Sequence, residues 1–370
     1  MQLSIKTSSL VFALLLSQTV AAQDRPPENP PASDNADAGQ WTPLGQIPVD
    51  QAGAGLRGYM PAGESAEVAA PGASQLSIHG VAGNNFYQEQ NENYSISQRY
   101  ETHTMALGYR RGFKVGMFPR LEFGGQVQLT EADSGFMNGL ISGFEKLMVR
   151  MTGVDAARNQ LRSTEGLLPP LGTFVTKGGQ PVYRAAGSGA GFGDVSLVAK
   201  ALLLDGAPSS SDARVAARVA LNISGKSEFT AGNFAGVGVS LDKKILKWAA
   251  FHGDVRASFL LDRVSDWNLP LKRAAFGFSA GPELRLSNNT SASAQIDGST
   301  TPYVATGATA FERGYGDITL GLSHRFKAKQ REVIAQAYLR ENMNLPFRVR
   351  WNTDPDLALG IKITIRSGPR

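Results

Sequence analysis

Apolar positions recur with a period of two over long stretches of this chain from residue 74 onward. The clearest stretch runs from Ala213 to Ser224, where Val219 and Leu221 fall on one face and Arg214 and Arg218 on the other. A period of two indicates extended strands with one apolar and one polar face. The stretches are also long enough to cross a bilayer, which takes a tilted strand roughly 9–11 residues. The pattern therefore predicts an all-β, membrane-spanning fold.

Twelve such segments can be placed along the chain, and the connections between them alternate in length. The segments are 74–83, 96–109, 120–130, 191–205, 212–224, 232–242, 248–261, 272–286, 291–298, 315–326, 331–340 and 356–366. Connections after even-numbered segments are mostly short, and those after odd-numbered segments are longer. Outer-membrane barrels show this asymmetry, with short periplasmic turns and long extracellular loops. The sequence predicts a closed antiparallel transmembrane β-barrel of about 12 strands over residues 74–370.

One connection, residues 131–190, is much longer than the others and is expected to be an extracellular or lumen-folded loop. Asp133 and Ser134 are possible N-caps of a short helix in it. The apolar face of that helix, recurring at helical spacing, would comprise Met137, Leu140, Ile141, Phe144, Leu147 and Met148. Such a face can pack into the barrel mouth or lie in the lipid interface. The sequence leaves both positions open.

The first 73 residues carry export and linker signals. Lys6, the apolar run from Leu10 to Leu16 and the small residues before Gln23 predict a cleaved signal peptide over residues 1–22. Residues 23–73 hold 8 of the 19 prolines. A stretch so rich in proline and poor in large apolar residues buries too little surface to fold by itself. It is predicted to be a disordered periplasmic linker or tail.

The polar faces of the segments carry charges of both signs, which in a barrel would line the lumen. The basic candidates are Lys200, Arg214, Arg218, Arg256, Arg285 and Arg325, and the acidic candidates are Asp194, Asp254, Glu283 and Asp317. One interpretation is a network of salt bridges that fills the barrel, which is the commoner arrangement. The other is a basic constriction that favours anionic solutes.

Composition excludes several other classes of function. The chain has no cysteine, so it lacks disulfides and thiolate metal sites. A net charge of +5 without a basic block gives no sign of nucleic-acid binding. His103 and His252, placed inward by their parity, each lie near an acid, but no serine can be paired with either. The sequence predicts no enzyme, no cofactor and no metal.

Three glycine-rich runs resemble a known family. GFMNGLISGF at 135–144, GFGDVSLVAKALL at 191–203, and ALNISG at 220–225 with the following GVGVSLDKKI are similar to an uncharacterised bacterial family of unknown function. That family is regarded as outer-membrane β-barrels, so the resemblance implies location and shape but no substrate or catalytic residue.

The predicted function is an outer-membrane barrel of a Gram-negative bacterium, forming a narrow channel or binding barrel for small solutes. The alternatives are a non-conducting structural or surface-binding barrel and, third, a lipid-modifying outer-membrane enzyme. Expected partners are outer-membrane lipid, lipopolysaccharide and the barrel assembly machinery, with small solutes as ligands.

Overall fold

The computed structural model describes residues 42–47, 60–90, 92–116, 118–133, 172–186, 189–205, 213–224, 232–263, 270–304, 314–328, 331–342 and 357–368. These residues form fourteen β-strands. Among them, no helix is long and apolar enough to cross a membrane.

Twelve of the strands form the wall of a barrel. They are β1 (Ser74–Gln90), β2 (Tyr94–Val115), β3 (Phe118–Asp133), β6 (Gly189–Leu204), β7 (Ala213–Ile223), β8 (Phe234–Leu246), β9 (Ala249–Leu260), β10 (Ala274–Arg285), β11 (Thr290–Ser299), β12 (Tyr315–Ala328), β13 (Arg331–Asn342) and β14 (Leu357–Ser367). Each pairs antiparallel with its neighbours in the wall, and β1 pairs with both β2 and β14. The predicted closed antiparallel barrel of twelve strands is confirmed.

Two further strands form a hairpin outside the barrel wall. They are β4 (Gly172–Lys177) and β5 (Gln180–Ala186), and β4 pairs with the first residues of β2, Tyr94 to Arg99. The alternation pattern predicts no hairpin inside the 131–190 connection and leaves residues 84–95 in a loop. Both errors have one cause: β1 and β2 continue well beyond the predicted segments and offer β4 an edge. The helix predicted at Met137–Met148 lies outside the described residues.

The wall has an apolar outer face and a polar inner face, as the period of two predicts. In β7 the side chain of Val219 is 55% exposed, whereas Arg218, the next residue, is 4% exposed. Exposed Leu, Val, Ile and Phe side chains recur on the same outer face of the other strands. Such a surface suits contact with lipid.

The described part of the proline-rich stretch lies inside the barrel. We call residues 42–47 and 60–73 the N-terminal segment. Its Ile47 and Ala66 are fully buried, and both belong to small apolar clusters with wall residues. This differs from the predicted disordered tail, because the segment is held by a polar wall rather than by an apolar core of its own. The signal peptide at residues 1–22 lies outside the described residues and stays a prediction.

Candidate functional site

Glu64 of the N-terminal segment lies among three cations of the barrel wall. The guanidinium of Arg110 of β2 donates to both carboxylate oxygens of Glu64, with N–O distances of 2.5 and 2.8 Å. Lys200 of β6 lies 3.3 Å from Oε2 of Glu64, and Arg218 of β7 lies 3.3 Å from Oε1. We call these four residues the Glu64 cluster. It joins three strands of the wall to the segment inside them.

The cluster holds Glu64 in its charged form. Burial by itself would raise the pKa of this carboxyl group, because a charge is poorly solvated there. The positive charges of Arg110, Lys200 and Arg218 outweigh burial and hold the pKa of Glu64 well below its ordinary value. Removing one partner of a buried ion pair leaves the other charge uncompensated, which is strongly unfavourable. The cluster is therefore a strong anchor for the segment.

Acidic wall residues hold the backbone of the segment at further points. The N–H groups of Leu44 and Gly45 donate to Glu283, at 2.8 and 3.1 Å. The N–H of Ala66 donates to Asp242 at 2.8 Å. Closer to β1, the N–H of Ala69 donates to Glu122 at 2.9 Å, and the N–H of Gly72 donates to the carbonyl of Gly112 at 2.9 Å. The wall thus satisfies these five N–H groups of the segment.

His252 of β9 connects two of these acidic anchors. Its Nδ1 lies 2.7 Å from Asp242 and its Nε2 lies 2.7 Å from Glu283. Both ring nitrogens are therefore engaged with carboxylates that also accept N–H groups of the segment. A histidine in this position cannot serve as the general base of a serine nucleophile, which needs a free ring nitrogen.

Gly63 marks a close approach of the segment to the wall. A Cβ at this position would lie 2.2 Å from Oγ of Ser279 and 3.0 Å from a guanidinium nitrogen of Arg256. Ser279 is fixed in turn, because Arg256 donates to its Oγ at 2.6 Å. A Cβ at this position would force either Ser279 or the segment to shift.

The space left between the segment and the wall is small. The cavity there is about 150 Å³ and is lined by residues of both, among them Ala62, Lys200 and Gln336. Sites for small molecules usually measure about 300–1,000 Å³. In the described arrangement the cavity lies below this range and can hold water molecules or a solute of about the size of benzene, but nothing larger.

Comparisons with known proteins support the fold. No protein-family model matches the chain, and no curated protein matches its sequence. An outer-membrane channel from Pseudomonas putida F1 is similar with a TM-score of 0.51 and 11% identity, over 81% of this chain and 97% of that chain. The CymD monoaromatic hydrocarbon channel gives 0.38 and 10%, over 81% and 89% of the two chains. The NanC porin gives 0.39 and 8%, over 79% and 98%.

At such low identities the likeness concerns the fold alone. The chain shares the barrel fold of the outer-membrane channel from Pseudomonas putida F1.

The predicted basic residues divide between the lumen and its rim. Lys200 and Arg218 belong to the Glu64 cluster, and Arg256 and Arg325 are also buried on the inner face. Arg214 pairs with Asp205 at 3.3 Å, beyond the end of β6, and Arg285 bonds Asn288 in the turn after β10. The last two therefore lie at the end of the barrel where β1 begins.

The predicted acidic residues are all buried. Asp254 accepts from Arg218 and from Arg256, each at 3.1 Å, and Glu283 holds the segment as described above. Asp317 lies 3.7 Å from Arg340 in an ion pair, while Asp194 lines the cavity. The loop-helix residues Met137, Leu140, Ile141, Phe144, Leu147 and Met148 lie outside the described residues.

Sequence reasoning missed two members of the cluster. Arg110 was assigned to a connection, although extending the alternation of β2 past Tyr109 by one residue would have placed it inward. Glu64 gave no signal, since it lies in a segment without periodicity. His103 was placed inward but shares the parity of Met105 and Leu107, which are exposed on the outer face.

His103 also belongs to a group that could hold a metal ion. Glu101, His103 and Asp133 each offer a ligand atom, and these atoms lie within 4.8 Å of one another. Nε2 of His103 lies 3.4 Å from the Asp133 carboxylate. The sequence pattern predicts no metal site, because these three residues are far apart along the chain or unrelated by any ligand spacing.

Proposed function

We propose that this protein is an outer-membrane channel for small solutes and that its N-terminal segment closes the lumen. The fold of an outer-membrane channel supports the first part, together with an apolar outer face and a polar inner face. The observation that carries the second part is the Glu64 cluster, which anchors the segment across the lumen through Arg110, Lys200 and Arg218.

The small cavity gives the proposal a mechanical consequence. Since about 150 Å³ is too little for a solute larger than about the size of benzene, passage of larger solutes requires the segment to move. Movement leaves Arg110, Lys200 and Arg218 without Glu64, so it becomes favourable only when water or an anion enters and compensates these charges. A wall of twelve paired strands stays closed while the segment leaves.

A second candidate is a non-conducting barrel in which the segment is a permanent part of the core. The buried ion pairs of Glu64 and the engagement of both nitrogens of His252 favour this candidate. The same engagement of His252 argues against a lipid-modifying enzyme built on that residue.

A disulfide lock separates the two candidates. Gly63→Cys and Ser279→Cys place two thiols where the segment touches the wall, in a chain that has no other cysteine. The disulfide replaces the Ser279 hydroxyl that a Cβ at position 63 would otherwise meet. We expect the oxidised double variant to be silent in a planar bilayer and to conduct after a reductant is added. Ser279→Cys alone is the matched control and should not respond to the reductant.

Two results would contradict the gating proposal. One is equal conductance of the locked and reduced forms, with the cross-link confirmed by gel mobility. The other is silence of the wild type, the control and the reduced variant alike, which would favour the non-conducting barrel.

A further inference from the structure

The Glu64 carboxylate occupies a site that the barrel wall itself provides. The guanidinium of Arg110 contacts both oxygens through two different nitrogens, which is the bidentate geometry by which arginine recognises carboxylate groups. Lys200 adds a compact charge, and its Nζ also donates to the carbonyl of Ser65 at 2.5 Å. Arg110, Lys200 and Arg218 come from three strands whose register the barrel fixes, so the site does not depend on the segment for its shape.

The wall keeps a surplus of positive charge when Glu64 is removed from this site. Arg110 retains its ion pair with Glu122 at 3.1 Å, and Arg218 retains Asp254 at 3.1 Å. The three cations of the cluster would then have only two acidic partners in the described part of the wall, Glu122 and Asp254. Asp254 also pairs with Arg256, at 3.1 Å.

Glu64 and Glu67 are the two places where the segment holds the wall by charge. Most of the remaining polar contacts of the segment come from neutral N–H groups that donate to wall acceptors, and an anion does not compete for those acceptors. The carbonyl of Ser65 also accepts from Lys200, so that contact belongs to the Glu64 cluster. Glu67 pairs with Arg366 through two N–O contacts of 2.5 and 2.8 Å near the start of β1. Competition by an anion is therefore confined to the carboxylate positions, with the Glu64 cluster the more buried of the two.

We propose that Arg110, Lys200 and Arg218 form a binding site for the carboxylate of a small organic acid, which displaces Glu64 and thereby opens the lumen. This inference rests on the proposed channel function and names the solute class that the channel admits. A ligand shifts an equilibrium only if it binds one state better than the other. Here the difference is steric, because Glu64 fills the site whenever the segment is docked.

The tether sets the concentration at which a free acid can compete. A group held on a short linker acts at an effective concentration in the millimolar range. A carboxylate solute of similar affinity must therefore be present at millimolar levels before it displaces Glu64. Such a gate stays closed at trace solute and opens when the solute is plentiful.

Movement of the segment can be measured without measuring conduction. Ala62→Cys places a single thiol two residues from Glu64, on the lining of the cavity. We expect a bulky water-soluble thiol reagent to label the purified variant at least about fivefold faster in millimolar gluconate. Glucose, which has the same carbon chain without the carboxylate, and potassium chloride at equal ionic strength should leave the rate unchanged.

Variants of the cluster test the site itself. In the Ala62→Cys background, Lys200→Gln should reduce the response to gluconate, and Glu64→Gln should raise labelling before any gluconate is added. Arg325→Gln is the matched control, since Arg325 is a buried wall cation that pairs with Glu332 instead of Glu64. It should respond to gluconate as the parent does. Heat-modifiable gel mobility establishes that each variant is folded.

Equal labelling in gluconate, glucose and potassium chloride would overturn the inference, as would a full response in Lys200→Gln. The channel proposal fails separately. If gluconate accelerates labelling of a protein that does not conduct in bilayers, the carboxylate site is supported and the channel is contradicted. If the protein conducts but gluconate changes neither its labelling nor its conductance, the channel is supported and the carboxylate site is contradicted.

Discussion

Glu64 places one negative charge among Arg110, Lys200 and Arg218, and its protonation would remove the attraction to all three. A carboxyl group whose pKa is lowered on folding contributes stability above its unfolded pKa and loses it as the pH falls through the folded value. The pKa of Glu64 lies well below its ordinary value of 4.5. Its contribution to docking is therefore complete at neutral and mildly acidic pH.

The first prediction concerns this pH dependence. Wild-type conductance should stay constant from neutral pH to about pH 5 and rise only well below 4.5, as Glu64 takes up a proton and the segment loosens. Bilayer recordings over this range measure it. Glu64→Gln, which carries no charge at any pH, should start from a higher conductance and show a smaller rise. A wild type whose conductance rises between pH 7 and 5 would contradict this assignment.

The second prediction concerns the close contact at Gly63. Gly63→Ala adds a Cβ 2.2 Å from Oγ of Ser279, which its hydrogen bond with Arg256 holds in place. Overpacking of this kind typically costs about 1–3 kcal/mol. We expect the docked state to lose part of that energy and bilayer conductance to increase. Gly368→Ala is the control, because nothing lies within 4 Å of its added Cβ. Equal conductance of the two variants would show that the segment does not depend on this contact.

The strands of the wall are the elements that the sequence predicts well. Alternation is local to each strand, so β7 or β14 can be recognised from about ten residues without knowing its neighbours. The β4–β5 hairpin is short and rests on an edge of β2 that exists only because β1 and β2 are long. Its formation depends on a distant part of the chain, and local pattern could not show it.

The N-terminal segment illustrates the same limit at the candidate site. Leu44 meets Glu283 across 239 positions of sequence, and Glu64 meets Lys200 across 136. Composition correctly shows that the segment has little apolar surface with which to fold alone. Composition carries no information about the charged groups of the barrel wall that hold the segment in the folded protein. The inward charges could be predicted by parity, but their partner in the segment could not.

The third prediction tests the orientation of β7. Val219→Arg puts a charge on the exposed apolar face, where it should cost roughly 2–4 kcal/mol near the middle of a bilayer and hinder insertion. Arg218→Ala changes the adjacent inward residue and should leave insertion intact, although it weakens the Glu64 cluster. Heat-modifiable mobility on gels reports insertion of both. Equal loss in the two variants would mean that the two faces of β7 have been exchanged.

In the whole molecule, a closed barrel wall surrounds the N-terminal segment, which is joined covalently to β1. The wall is complete without the segment, because β1 pairs with β14 from Ser74 to Asn84. The segment continues directly into β1, and hydrogen bonds between Gly72, Ala73 and Gly112 fix that junction. Displacement would therefore swing the segment about its junction with β1 while the barrel stays closed. This arrangement keeps Glu64 near its site and makes redocking fast.

The fourth prediction is that removing the segment converts the barrel into an open, anion-selective pore. Deleting residues 42–70 keeps Gly72 and all of β1, so the wall retains every strand pairing. The deletion removes Asp50, Glu64 and Glu67 but only one cation, Arg57, which leaves the remaining chain two charges more positive. Lining cations favour anions in a pore of this kind. We expect larger single-channel conductance, and in a salt gradient a reversal potential shifted toward that of the anion.

A deletion restricted to residues 42–47 is the matched control, since it removes the contact with Glu283 but keeps Glu64 and Glu67. Its selectivity should stay close to that of the wild type, because the Glu64 cluster still docks. If the longer deletion inserts but conducts as the wild type does, the segment does not limit the pore. If it conducts more but prefers cations, the acids of the wall, and not Arg110, Lys200 and Arg218, govern the field in the open lumen.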